Sequence, residues 1–294
     1  MISAPSTPVQ TFNPQPSQPR LRLPDKACDA HVHVFGPASR FPFSTTRHIT
    51  PVDAPKETLF ALHRHLGIQR CVIVQSLIHE FDNSVIEDAI VAGQGNYLGI
   101  ALVPLNVADG ELQRLAAAGF RGVRFNFMKH LSSGATPQQV LDFTPRLARA
   151  GMHLQVHFES SLVHMLSPLL LQSAVPVMID HMGRVDASQG IDGKDFQGLC
   201  TLLKDPRMHV KVSGIDRVDP HPPTDTVYPL GTALARHLLS EFPDQCVWGT
   251  DWPHPNHNHI PDDGQLVDAL AHIAPSQAAL QRLLVDNPAA FYQF

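Results

Sequence analysis

A chain of 294 residues, 43% hydrophobic and 17% charged, can bury a core large enough for one barrel or two ordinary domains. Its net charge of −5 is not the basic footprint of a nucleic-acid binder, and no run approaches the ~20 apolar residues of a membrane span. No basic segment followed by an apolar stretch marks the N-terminus as a secretory signal. The scattered Cys28, Cys71, Cys200 and Cys246 form no CxxC pair, which reads as free thiols in a reducing cytoplasm.

Residues 1–24 are rich in Pro, Ser, Thr and Gln and show no apolar period, so they read as a flexible tail or as an arm laid on a partner in a homo-oligomer. From there to residue 294 short apolar runs alternate with amphipathic stretches of helical period. Strands are predicted at Ala27–Val34, Arg70–Ser76, Tyr97–Val103, Gly122–Phe127, His153–Phe158, Val175–His181, Met208–Ser213 and Cys246–Thr250. Helices are predicted at Pro55–Leu66, Asp82–Ala92, Gly110–Ala118, Pro137–Ala150, Glu159–Gln172, Phe196–Lys204, Thr232–Glu241 and Ser276–Val285. Eight βα units in one domain over 25–294 predict an α/β fold, a (β/α)8 TIM barrel. The alternative, an open doubly wound sheet, calls for a Gly-rich turn after the first strand, where this chain has His31-Val32-His33.

Barrel enzymes carry their chemistry at the C-terminal ends of the strands. His31 and His33, two apart on strand 1, point the same way. Strand 5 ends in His157, strand 6 in Asp180-His181, and strand 8 runs into Asp251. One such histidine is ordinarily a satisfied or exposed side chain, but a set of metal-capable groups gathered at the ends of four strands points to a site. Three imidazoles and a carboxylate form a donor set for a divalent ion, so His31, His33, His157 and Asp251 are candidate ligands for Zn²⁺ or Mn²⁺. A metal-free site, with Asp251 as base and the histidines as donors, is the alternative. Arg124 at the end of strand 4, Arg184 after strand 6 and Arg217 after strand 7 are candidate anion forks, with Arg47 and His130 as weaker ones. His257 and His259 read as exposed loop imidazoles. His63 and His65 lie in a helical pattern where positions two apart diverge.

The surrounding words are more specific. Cys28-Asp29-Ala30-His31-Val32-His33-Val34-Phe35-Gly36-Pro37, Gly119-Phe120-Arg121-Gly122-Val123-Arg124-Phe125-Asn126-Phe127, Asp180-His181-Met182-Gly183-Arg184, Trp248-Gly249-Thr250-Asp251-Trp252-Pro253-His254-Pro255-Asn256 and Asp286-Asn287-Pro288 resemble the 2-pyrone-4,6-dicarboxylate lactonase family, with its 4-sulfomuconolactone hydrolases, in the amidohydrolase superfamily. The resemblance runs from about residue 24 to the end. It implies hydrolysis of a small anionic lactone in aromatic-compound breakdown, with Asp251, His181, His31 and His33 as the catalytic groups. It also implies that a metal is dispensable in the pyrone lactonases, whereas a strand-5 histidine is what metal-binding members of the superfamily carry. The chain departs from the family pattern at Ile49 and His157, where tyrosines are expected, at Leu77 for a serine and at His130 for an arginine. A changed set of donors alters which anion fits. A non-oxidative decarboxylase of an aromatic or muconate-type acid is the runner-up, and a non-catalytic binding protein the reading from another class.

Overall fold

A computed structural model describes residues 8–128, 134–219, 227–255 and 259–294. Eight parallel strands follow one another around the sheet in chain order. They are β1 (Cys28–Val32), β2 (Arg70–Val74), β3 (Tyr97–Ala101), β4 (Phe120–Phe127), β5 (His153–Phe158), β6 (Val177–Ile179), β7 (Met208–Lys211) and β8 (Cys246–Val247). Backbone hydrogen bonds from Ala30 to Trp248, from Asp251 to His31 and from His33 to Trp252 join the first strand to the end of the last, closing the barrel.

The crossover helices lie outside: α1 (Lys56–Leu66), α2 (Ser84–Ala92), α3 (Asp109–Ala117), α4 (Pro137–Ala150), α5 (Val163–Leu170), α6 (Lys194–Leu202), α7 (Ile215–Val218) and α8 (Pro229–Glu241). Beyond β8 come α9 (Asp263–Ile273), α10 (Gln277–Gln281) and α11 (Asn287–Tyr292). Local signals explain several ends. Thr136 and Gln139 form a reciprocal capping box ahead of Pro137 at the start of α4, and Gly67 and Gly151 take the left-handed conformation that ends α1 and α4.

Strand alternation sorts the core. On β4, Val123 and Phe125 pack outward with the helices, while Gly122, Arg124 and Asn126 face in; on β5 the outward set is Leu154, Val156 and Phe158. The barrel floor is filled by Ala30, Val72, Ile100, Met178 and Val247 around Tyr292 of α11. Among the described residues no helix is long and apolar enough to cross a membrane, and the four cysteines are unpaired.

Three expectations change. The described part of the tail, 8–24, is laid along the barrel rather than loose. Phe12 is buried against Trp252, Ser17 is bonded to Asp262, the α9 cap, and the backbone of Arg20 to Asp268. Its polar residues escape periodicity because they bond to α9 instead of forming an element. Second, α9 and α7 are absent from the predicted set; α7 is only four residues, too short for a period. Third, the last helix does not stop at Val285 but runs on through Asn287-Pro288. A π-turn over Arg282–Asp286 lets Pro288 start α11 near its N-terminus, where it needs no amide hydrogen.

Two histidines near the floor make stability depend on pH. Burial pushes His153 down to about 3 and His209 down to about 4. The unfolded chain binds these protons first, near pH 6.5. Stability from the neutral rings is therefore complete above that pH and is lost as pH falls toward 4. At about 1.4 kcal/mol per pKa unit, the loss by pH 4 is several kcal/mol. Urea midpoints measured from pH 7 to 4 should fall steeply, and His153→Phe, which keeps a ring without a titration, should flatten the slope. An unchanged slope in that variant would assign the loss elsewhere.

Candidate active site

The mouth at the C-terminal ends of the strands opens into a pocket enclosing about 620 Å³, counted out to solvent. Its walls are His33, Ser76, Leu77, Arg124, Asn126, Met128, His157, His181, Arg184, Arg217, Asp251 and Pro255. Asp251 lies at the centre. Oδ1 is 3.3 Å from His33 Nε2, 3.5 Å from His31 Nε2 and 3.8 Å from His181 Nε2, and Oδ2 accepts a hydrogen bond from Arg217 Nε.

The end of β1 and the turn after β8 are built as one unit. Asp29 is buried, its Oδ1 accepting from the His31 and Thr250 amides at 3.1 Å and its Oδ2 from the Thr250 hydroxyl at 2.6 Å. Gly249 passes so close that a Cβ there would lie 2.5 Å from the His31 nitrogen. The turn then carries Asp251 with φ near +66°, a left-handed backbone that aims its carboxylate inward; His181 and Arg184 after β6 share that region.

Burial raises the Asp251 pKa, but the Arg217 guanidinium, then His181, His33 and His31, outweigh it, so the carboxyl stays ionised well below its ordinary range. Burial pushes His31 to about 4, with Lys211 adding to the shift, and lowers His157 and His181 as well. At neutral pH the site thus holds an ionised carboxylate beside neutral imidazoles. His33 Nδ1 donates to the Val74 carbonyl at 2.7 Å, which turns its Nε2 toward Asp251.

The buried His31 Nε2 and Asp251 Oδ1 have no hydrogen-bond partner, and ligand atoms of His31, His181 and Asp251 lie within 4.8 Å of one another. Orphaned donors converging in this way fit a divalent cation. The converging set differs from the expected one. His181 takes part, while His33 and His157 stay outside the group. His157 turns Nδ1 to Asn126 Oδ1 at 3.2 Å, and its Nε2 is buried without a hydrogen bond. The cause is the pleat: Asn126 is the register partner of His157 on β4 and holds the ring against the wall.

Three of the five expected anion forks line the pocket. Arg124 donates from Nε to Asp180 Oδ2 at 2.8 Å, Arg217 braces Asp251 and the Pro255 carbonyl, and Arg184 has no hydrogen-bond partner among the described residues. Burial brings Arg184 down to about 10, still a cation at neutral pH. Arg47 is not in the pocket: it donates to Thr50 and the Ser44 carbonyl of its own loop, as a local Arg-x-x-Thr pair can. His130 and His257 lie outside the described residues. His254, behind the mouth, pairs with Asp263 at 3.0 Å, both fully buried.

Lys211 is absent from the sequence reading. It is fully buried at the end of β7, 3.4 Å from Asp180 Oδ1, and burial brings it down to about 8. Its signal was available in Met208-His209-Val210-Lys211, where the outward faces of Met208 and Val210 send Lys211 inward.

The profile of the amidohydrolase family matches residues 28–294. A 2-pyrone-4,6-dicarboxylate hydrolase of Comamonas testosteroni is 42% identical over 94% of this chain and 93% of its own. The chain belongs to the amidohydrolase family. A 4-sulfomuconolactone hydrolase of Hydrogenophaga intermedia is 37% identical over 93% of this chain and 90% of its own. Among solved structures, a probable 2-pyrone-4,6-dicarboxylic acid hydrolase of Acinetobacter baumannii with citric acid bound is 26% identical, with a TM-score of 0.78 over 92% of this chain and 100% of that one. The barrel expected from the strand pattern, and the family and hydrolase class implied by the resemblance, agree with these relatives.

Proposed function

We propose that this amidohydrolase opens the ring ester of a small lactone carrying two or more anionic groups, acting in the cytoplasm on an intermediate of aromatic breakdown. The observation that carries this reading is a single pocket in which an ionised carboxylate among three histidines faces three guanidiniums. Arg124, Arg184 and Arg217 hold the substrate's carboxylates or sulfonate. Asp251 takes a proton from water, and the resulting hydroxide adds to the lactone carbonyl. His31, His33 and His181 surround the oxygen that becomes negative. When the ring C–O bond breaks, Asp251 returns the proton to the departing oxygen. General-base action of this kind contributes about 10²–10⁴-fold. A divalent ion, Zn²⁺ or Mn²⁺, would be held by His31, His181 and Asp251, where it would polarise the carbonyl and lower the pKa of its water.

The relatives named for pyrone dicarboxylate and sulfomuconolactone support the substrate class, as does citric acid bound to the Acinetobacter relative. Of the departures at Ile49, Leu77, His130 and His157, Leu77 and His157 line the pocket and bear on which anion is preferred. The test is turnover of 2-pyrone-4,6-dicarboxylate and of a sulfomuconolactone, followed by loss of ring absorbance and mass analysis of the product. Gain of one water without loss of carbon is expected. Release of CO2 would establish the decarboxylase instead, and no turnover of any lactone or acid would favour a binding protein.

A further inference from the structure

The two histidines of the His31-Val32-His33 pair are held with opposite proton placement, and the cause lies beneath them. His33 donates from Nδ1 to the Val74 carbonyl, so its Nδ1 carries a proton. His31 meets a different partner. Lys211 Nζ is 3.2 Å from His31 Nδ1, 2.9 Å from the Ala30 carbonyl and 3.0 Å from Gln155 Oε1. An ammonium has three hydrogens and no lone pair, so these three contacts use all its donors on three acceptors. Gln155 is oriented to match, its amide nitrogen donating to Asp180 Oδ2 at 3.2 Å.

A rival acceptor for a proton on Nδ1 stands close by. Asp180 Oδ1 is 3.3 Å from His31 Nδ1, yet it makes no hydrogen bond; the carboxylate is bound through Oδ2, by Arg124 and Gln155. We infer that Lys211 is a positioning residue that holds His31 as the Nε2–H tautomer, a hydrogen-bond donor facing Asp251 and the pocket. The site then offers the His31 imidazole N–H to a developing oxyanion.

A consequence follows for metal affinity. A ligand to a divalent ion must present a lone pair, so an ion held by His31, His181 and Asp251 must displace the Nε2 proton, and Lys211 weakens its binding without forbidding it. Without the ammonium, the Nδ1 proton has Asp180 Oδ1 waiting for it, and Nε2 becomes a free donor. Lys211→Met, close in length and uncharged, should therefore bind Zn²⁺ more tightly than the parent chain, about tenfold or more by the usual scale of outer-sphere effects.

The test reads the tautomer first. Long-range proton–nitrogen spectra of histidine-labelled protein, with the His31 signals assigned by their loss in His31→Asn, should show a protonated Nε2 and a bare Nδ1 in the unsubstituted chain. Lys211→Met should invert that pattern, and calorimetric titration with Zn²⁺ should show the tighter binding. A protonated Nδ1 in the unsubstituted chain would overturn the inference, and does not require any variant to fold. So would a folded Lys211→Met variant with an unchanged tautomer, or with equal or weaker Zn²⁺ affinity. These readouts are independent of whether the substrate is a lactone, so failure of the proposed reaction would leave them standing.

Discussion

Asp251→Asn is expected to leave a folded barrel whose turnover is lower by about 10²-fold or more. The amide keeps the shape and can still meet Arg217 through its oxygen, but it cannot take a proton from water. The residue sits where that loss is felt most, with Oδ1 between His31 and His33 and Oδ2 held by Arg217. Its anionic state does not depend on assay pH near neutrality, because Arg217 and the histidines outweigh the burial that opposes it. Kinetics with the lactone, alongside circular dichroism to confirm the fold, provide the check. A variant retaining more than half of the original rate would remove Asp251 from the role of base.

Arg124→Met should have the next largest effect, and on two measurements at once. As an anion fork, Arg124 should contribute roughly 1.5–3 kcal/mol to substrate binding, the scale of a charge-assisted hydrogen bond, so KM should rise about ten- to a hundredfold with a smaller change in kcat. The fold adds a second cost. Arg124 Nε is bonded to Asp180, which is fully buried, and removing one partner of a buried pair ordinarily costs about 3–5 kcal/mol. Lys211, 3.4 Å from the same carboxylate, remains to compensate, so the stability loss should fall at the low end of that range. Saturation kinetics and a thermal melt separate the two effects. An unchanged KM would show that Arg124 serves the barrel alone, and an unchanged melting temperature would show that Lys211 suffices for Asp180. Arg184→Met is the control on the same pocket: with no hydrogen-bond partner among the described residues, it should raise KM while leaving the melt nearly unchanged.

The sequence by itself determined the barrel and most of the mouth. Period-two strands alternating with period-3.6 helices place the inward positions of β1, β4 and β5, and the C-terminal ends of those strands must share one face. His31, His33, His181, Arg124, Arg217 and Asp251 could be named on that ground, because each follows from its place on or just after a strand and from the chemistry of its side chain. Tertiary structure decided what those residues do for one another. That Arg124 is shared with Asp180, that His157 is turned aside by Asn126, and that His181 rather than His157 joins His31 and Asp251 depend on side-chain directions set by cross-strand register. The packing of the 8–24 segment on α9 comes from contacts some 250 positions apart in the chain, which no local period records. Lys211 shows the boundary most clearly. Its inward direction is legible in four residues of β7, but its partners, Ala30, His31 and Gln155, lie 56 to 181 positions away and are brought to it only by closure of the barrel. A proton's position on an imidazole is set by what stands within about 3 Å of it, and that distance belongs to the fold.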